Sequence, residues 1–160
     1  MRSPRTMRFL LLLITMGIFF SEFVHAGNWA SIKQSGDGNI AEIVQSGQGG
    51  QAIIIQGDAR TVTGKARSKK QGSNRAVILQ DGDRNVARQT QLGAENTAIV
   101  GQRGSDNETV QVQMGESNWA GAVQEGMRNS VSHSQTGGGH MHTITESGDD
   151  KKVTVSQSGN

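Results

Sequence analysis

The chain has 160 residues, 16 Lys and Arg against 14 Asp and Glu, 22 glycines, one proline and no cysteine. The missing cysteine excludes the disulfide stapling that exported chains of this size often use. The sparse apolar residues, with abundant Gly, Gln, Asn and Ser, read by composition alone as a low-complexity or aggregation-prone chain.

The segment 1–26 reads as a part of its own. Arg2, Arg5 and Arg8 form a positive start, Phe9 to Phe20 is an uncharged apolar run, and Val24-His25-Ala26 has the small-x-small form of a cleavage signal. This is the pattern of a secretory signal peptide with cleavage after Ala26. The apolar run falls well short of the roughly 20 residues a membrane-spanning helix needs. Arg2, Arg5, Arg8 and Glu22 carry the whole net charge of +2, so cleavage leaves basic and acidic residues equal in number. Overall basicity therefore gives no reason to invoke nucleic acid, and near-zero charge favours association.

From Gly27 onward the chain repeats itself with an eleven-residue step. Asn28 and Gln34 open the series, followed by Asn39 with Gln45, and by Gln56 after Gly50 in the Asn slot. Next come Asn74 with Gln80, Asn85 with Gln91, Asn96 with Gln102, Asn107 with Gln113, Asn118 with Gln124, and Asn129 with Gln135. The last two units drift, His140 standing with Glu146 and Lys151 with Gln157. The common text is Gln-x-Gly-x-x-Asn-x-Ala-x-x-x-Gln. A short fixed period means one structural unit copied along the chain.

The seven residues from Asn to Gln alternate with period two and predict a strand of roughly 23 Å. The four between, such as Ser46-Gly47-Gln48-Gly49, predict a turn. Alternation puts Asn, Ala, the residue two after Ala, and Gln on an inner face. That third slot holds Ile32, Ile43, Ile54, Ile78, Val100, Ile144 and Val155, with Gln89, Gln111, Ala122 and His133 as exceptions. Lys33, Glu42, Arg75, Arg88, Glu108, Ser132, Thr143 and Lys152 fall on the outer face, mixed with Trp29, Ile53, Ile55, Val77, Leu79 and Trp119.

The expected fold is all-β: a β-solenoid with two strands per coil of about 22 residues, five to six coils, and a height of roughly 25–30 Å. An unpaired buried amide is costly, so the recurring Asn and Gln are expected to bond from coil to coil in an amide ladder. The domain reading is 1–26 signal peptide and 27–160 solenoid, broken by an irregular basic insertion at 57–71. That insertion carries Arg60, Lys65, Arg67, Lys69 and Lys70 against Asp58. It reads as a solvated loop or as a contact patch for an acidic partner, with Thr61-Val62-Thr63 as a candidate short strand.

Catalytic signals are lacking: no Ser/His/Asp arrangement, phosphate loop or carboxylate pair stands out, and no cofactor is expected. His140 and His142 share a strand face with His133 as a possible third imidazole, but filling slots of a weakened repeat accounts for them without a metal. The scattered Asp-Gly turns lack the nine-residue period of calcium-binding rolls; they read as turn chemistry with charges that slow premature pairing.

The repeated Gln-x-Gly-x-x-Asn-x-Ala-x-x-x-Gln, from Asn28 to Gln157, resembles the curlin repeat of curli subunits, the bacterial extracellular amyloid fibres. The resemblance implies export through the periplasm and an outer-membrane secretion channel with accessory proteins. It also implies self-assembly with a homologous subunit into cross-β fibres at the outer cell surface, serving biofilm matrix, adhesion and colonisation. The uniform eleven-residue units and text such as Ser73-Asn74-Arg75-Ala76 look more like the minor, nucleating subunit than the major one. A growth face is expected over Asn28 to Gln56, with the irregular last strands as a second face or a less adhesive cap. The competing reading is a monomeric solenoid adhesin or surface-binding rod; an ice-binding rod would need an ordered outer array that this chain lacks.

Overall fold

The computed structural model describes residues 21–25, 27–57 and 72–159. Twelve strands follow one another with no helix among the described residues. They are β1 (Ser21–His25), β2 (Asn28–Gln34), β3 (Ile40–Ser46), β4 (Gln51–Gly57), β5 (Arg75–Asp81) and β6 (Val86–Ala94). The series continues with β7 (Thr97–Ser105), β8 (Glu108–Glu116), β9 (Trp119–Met127), β10 (Ser130–Gly138), β11 (Met141–Ser147) and β12 (Lys152–Ser158).

From β2 onward, successive strands alternate between two sheets. One runs β1-β2-β4-β6-β8-β10-β12 and the other β3-β5-β7-β9-β11. Every pairing from β2 onward is parallel, so the chain is a β-solenoid in which two strands and two arcs make one coil. The register superposes the repeat on itself: Ala76 lies beside Ala98, Ala98 beside Ala120, and Gln80 beside Gln102. A one-residue slip would turn every inward side chain to solvent, and the strict period is what holds the register.

The interior between the sheets is narrow. Ala52, Ala76, Ala87, Ile54, Ile78 and Val100 are buried at its centre, with Val131, Ala122 and Ile144 continuing it toward the C-terminal end. Small Ala beside larger Ile lets the two sheets close on each other. Gln89, Gln111 and His133 occupy the same central slot of one sheet, in register, and all three are fully buried.

Two sequence expectations need adjusting. Strands β6 to β10 are nine residues long rather than seven. Identical arcs stack on identical arcs, so the residues after Gln also pair, as Leu92 does with Met114 and Gly93 with Gly115. Val77, assigned outward, is buried; it lies between Glu42 and Ile99 in the same row and is shielded by both. Among the described residues one strand stands outside the repeat: Ser21–His25, within the segment read as a leader, forms β1 and pairs antiparallel with β2.

The insertion changes spacing but not register. Gln45 and Gln80 stack with a sequence separation of 35, where Gln80 and Gln102 stack with 22. The extra length falls between β4 and β5. Arg60, Lys65, Arg67, Lys69 and Lys70, and the candidate strand Thr61-Val62-Thr63, lie outside the described residues.

Candidate functional site: stacked amides and open strand edges

The glutamine slot forms two continuous rows, one per sheet. In the first, each Nε2 donates to the Oε1 of the next strand toward the C-terminal end. The chain of donors runs Gln34 to Gln56 (2.7 Å), Gln56 to Gln91 (2.8 Å), Gln91 to Gln113 (2.8 Å), Gln113 to Gln135 (2.9 Å) and Gln135 to Gln157 (2.9 Å). In the second, Gln45 donates to Gln80 (2.7 Å), Gln80 to Gln102 (2.8 Å) and Gln102 to Gln124 (2.9 Å). The second proton of Nε2 crosses the interior to a backbone carbonyl, as from Gln91 to Arg75 at 2.9 Å and from Gln113 to Thr97 at 3.0 Å. Thr109, standing in an Ala slot, donates to Gln124 Oε1 at 2.7 Å.

The asparagine rows run the other way. Asn74 Nδ2 donates back to Asn39 Oδ1, Asn96 to Asn74 and Asn118 to Asn96, each at 3.1 Å. In the other sheet Asn107 Nδ2 donates to Asn85 at 3.2 Å, and the Asn129 backbone N–H donates to Asn107 Oδ1 at 3.1 Å. Asn28 Oδ1 accepts from the Gly50 backbone N–H at 2.8 Å. Nδ2 also ties down an arc, as from Asn85 to the Gly104 carbonyl at 2.9 Å. A side-chain amide supplies both a donor pair and an acceptor, so one residue type can pass a hydrogen bond along the stack without end.

The arcs explain the glycine two residues after each Gln. Gly82, Gly93, Gly104, Gly115 and Gly126 all adopt φ between +110 and +122, a region that residues with a Cβ avoid. A Cβ on Gly104 would sit 2.0 Å from the Gly126 carbonyl oxygen. A second left-handed residue precedes the Asn slot: Arg84, Glu95, Asp106, Ser117, Arg128 and Asp150, with φ from 52 to 59. The repeat text does not single these positions out, because their residue types vary. The available signal was opposite charge one coil apart. Arg84 holds Asp106 through two 2.7 Å bonds, and Arg128 holds Asp150 likewise. These bonds to the guanidinium keep both carboxyls below the usual carboxylate range.

Of His133, His140 and His142, the structure brings two together. The rings of His133 and His142 meet edge to face across the interior, centroids 5.0 Å apart. Both nitrogens of His133 and Nδ1 of His142 are buried without a hydrogen-bond partner among the described residues. Burial, and secondarily His142, push the His133 imidazole down to about 4. His140 lies elsewhere, its ring nitrogen 3.0 Å from the Thr136 carbonyl. No group of three or more His, Cys, Asp or Glu side chains suited to a metal occurs among the described residues.

The stack has ends. Strands β3 and β11 bound one sheet, and β1 and β12 bound the other. On β3, β11 and β12 a row of backbone donors and acceptors faces outward with no strand beside it among the described residues. Such edges are templates for another strand. The outer face offers less order: Leu79 and Val123 are exposed around the notch left by Gly101, rimmed by Asp81, Arg103 and Glu125.

The family model for the curlin associated repeat matches residues 73–104, which span β5, β6 and β7 up to Gly104. No curated protein and no solved structure gives a match.

Proposed function

We propose, from the curlin associated repeat that residues 73–104 match, that the chain is a curlin-family protein and a structural subunit of an extracellular curli-type fibre, of the nucleating kind. One observation carries the reading: successive coils stack in parallel register, and the described stack stops at bare strand edges. The interactions that join one coil to the next are available to join one chain to the next, by backbone pairing and amide continuation.

Removal of the leader after Ala26 would take β1 away from β2, so both strands of the first coil would then present open edges. Export and assembly outside the cell, with a homologous subunit as partner, are what the family implies. The uniform unit length and the Lys and Arg text favour the nucleator.

The test is a seeding assay with the chain from Gly27 onward. Added in small proportion to a soluble major subunit from the same cell, it is expected to abolish the lag before dye-binding fibres appear. An unchanged lag with vigorous assembly by itself would place the chain in the fibre body. A chain that stays monomeric under all conditions would contradict the fibre reading and favour a solenoid adhesin.

A further inference from the structure

The two ends of the solenoid are chemically unequal, and the inequality lies in the amide rows. Glutamine amides donate toward the C-terminal end and asparagine amides donate toward the N-terminal end. A chain that continued the stack beyond β12 would therefore need donors from the last Gln slots and acceptors from the last Asn slots. The last coil offers Gln157 alone. Glu146 fills the other Gln slot, and His140 and Lys151 fill the two Asn slots. The Gln124 row ends there, while His140 and Lys151 meet the Asn rows through their backbone N–H groups, on Asn118 Oδ1 (3.1 Å) and Asn129 Oδ1 (2.9 Å). At the other end all four slots hold amides: Asn28, Gln34, Asn39 and Gln45.

Because strands alternate between sheets, the strand that follows β12 would lie over β11. In head-to-tail stacking this is β2 of the next copy, which sets Gln34 Oε1 against the Glu146 carboxylate. A carboxylate only accepts, so two acceptors would face each other where the interior joints of the row have a bond. Lys151 would likewise meet Asn39 where an Oδ1 is required.

Resting on the fibre reading above, we propose that Glu146, supported by His140 and Lys151, makes the C-terminal end a cap that restrains stacking of this chain on itself. The N-terminal end is then the face that receives another repeat chain, one whose last coil keeps its amides. The chain is built to start or end a stack more readily than to propagate one.

The experiment compares self-assembly of the chain from Gly27 with that of Glu146→Gln and of Lys151→Asn. Glu116→Gln serves as the charge control, since Glu116 is exposed at an arc in the middle of the stack. Restoring one amide joint is expected to shorten the lag about five- to tenfold, more when both changes are combined, while Glu116→Gln stays within about twofold of the wild type. Lags equal to the wild type in both repaired chains, with the wild type forming fibres, would overturn the cap and leave the fibre reading standing. No assembly by any of the chains would remove both.

Discussion

At Gly104 the backbone takes φ +110, and a Cβ there would press on the Gly126 carbonyl oxygen at 2.0 Å. Gly101, three residues earlier, has open space where its Cβ would stand. Gly104→Ala is therefore expected to cost about 2–3 kcal/mol, and Gly101→Ala to be neutral or slightly stabilising, in urea unfolding of the freshly purified, unassembled chain. The buried amides make a second matched case. Gln91→Leu keeps most of the volume but leaves Gln113 Oε1 without its donor and Gln56 Nε2 without its Oε1 acceptor, a loss of about 2–3 kcal/mol. His133 adds a pH dependence. Its imidazole, held at about 4 when folded, binds a proton more readily in the unfolded chain, where the ordinary value is about 6.5. Stability is then full above about pH 6.5 and falls as pH drops toward 4, by up to about 3 kcal/mol. His133→Gln, which copies Gln111 beside it, should flatten the unfolding midpoint across that window; an unchanged slope would show that another group carries it.

At the scale of the strand, the inner positions were legible because alternation and the eleven-residue step agree: Ala52, Ile54, Ala76 and Ile78 are buried where the pattern puts them. Strand length was less legible. A run such as Arg103-Gly104-Ser105-Asp106 looks like a turn in isolation, yet its first three residues pair with Glu125, Gly126 and Met127. Its counterpart one coil away has the same shape, and stacking extends the pairing into the arc. The direction of the amide rows was invisible too, since Asn and Gln each donate and accept, and only the packed backbone decides which end faces forward. The charged rungs are a separate matter. Arg84–Asp106 and Arg128–Asp150 are exposed, and such pairs contribute little; Asp106→Asn should leave the urea midpoint unchanged within error. The register on either side of the insertion allows a stronger statement. Deleting 58–70 restores the eleven-residue step from Gln56 to Gln80, and Gln71→Gly in the same chain supplies the glycine that the arc needs two residues after Gln56. The shortened chain should keep its circular dichroism and unfold at the same or a slightly higher urea concentration, the closure of a shorter loop saving at most about 1 kcal/mol. Loss of cooperative unfolding would mean that the inserted chain is part of the core.

At the scale of the molecule, the solenoid is close to one-dimensional: each coil touches only the coils before and after it, so interior coils are satisfied and end coils are not. That is why the period carried so much of the architecture and so little of the role. Every interior repeat says the same thing, and what distinguishes this chain sits where the repeat fails, at His140, Glu146 and Lys151, and where β1 covers β2. On the fibre reading, the stacking axis within one chain becomes the axis of a fibre. X-ray diffraction from aligned fibres of the chain from Gly27 tests it most directly. A sharp meridional reflection at about 4.8 Å is expected, from strands perpendicular to the fibre, with a diffuse equatorial one at about 10 Å. The inter-strand spacing on the equator instead, or aligned material that lacks it altogether, would contradict the claim.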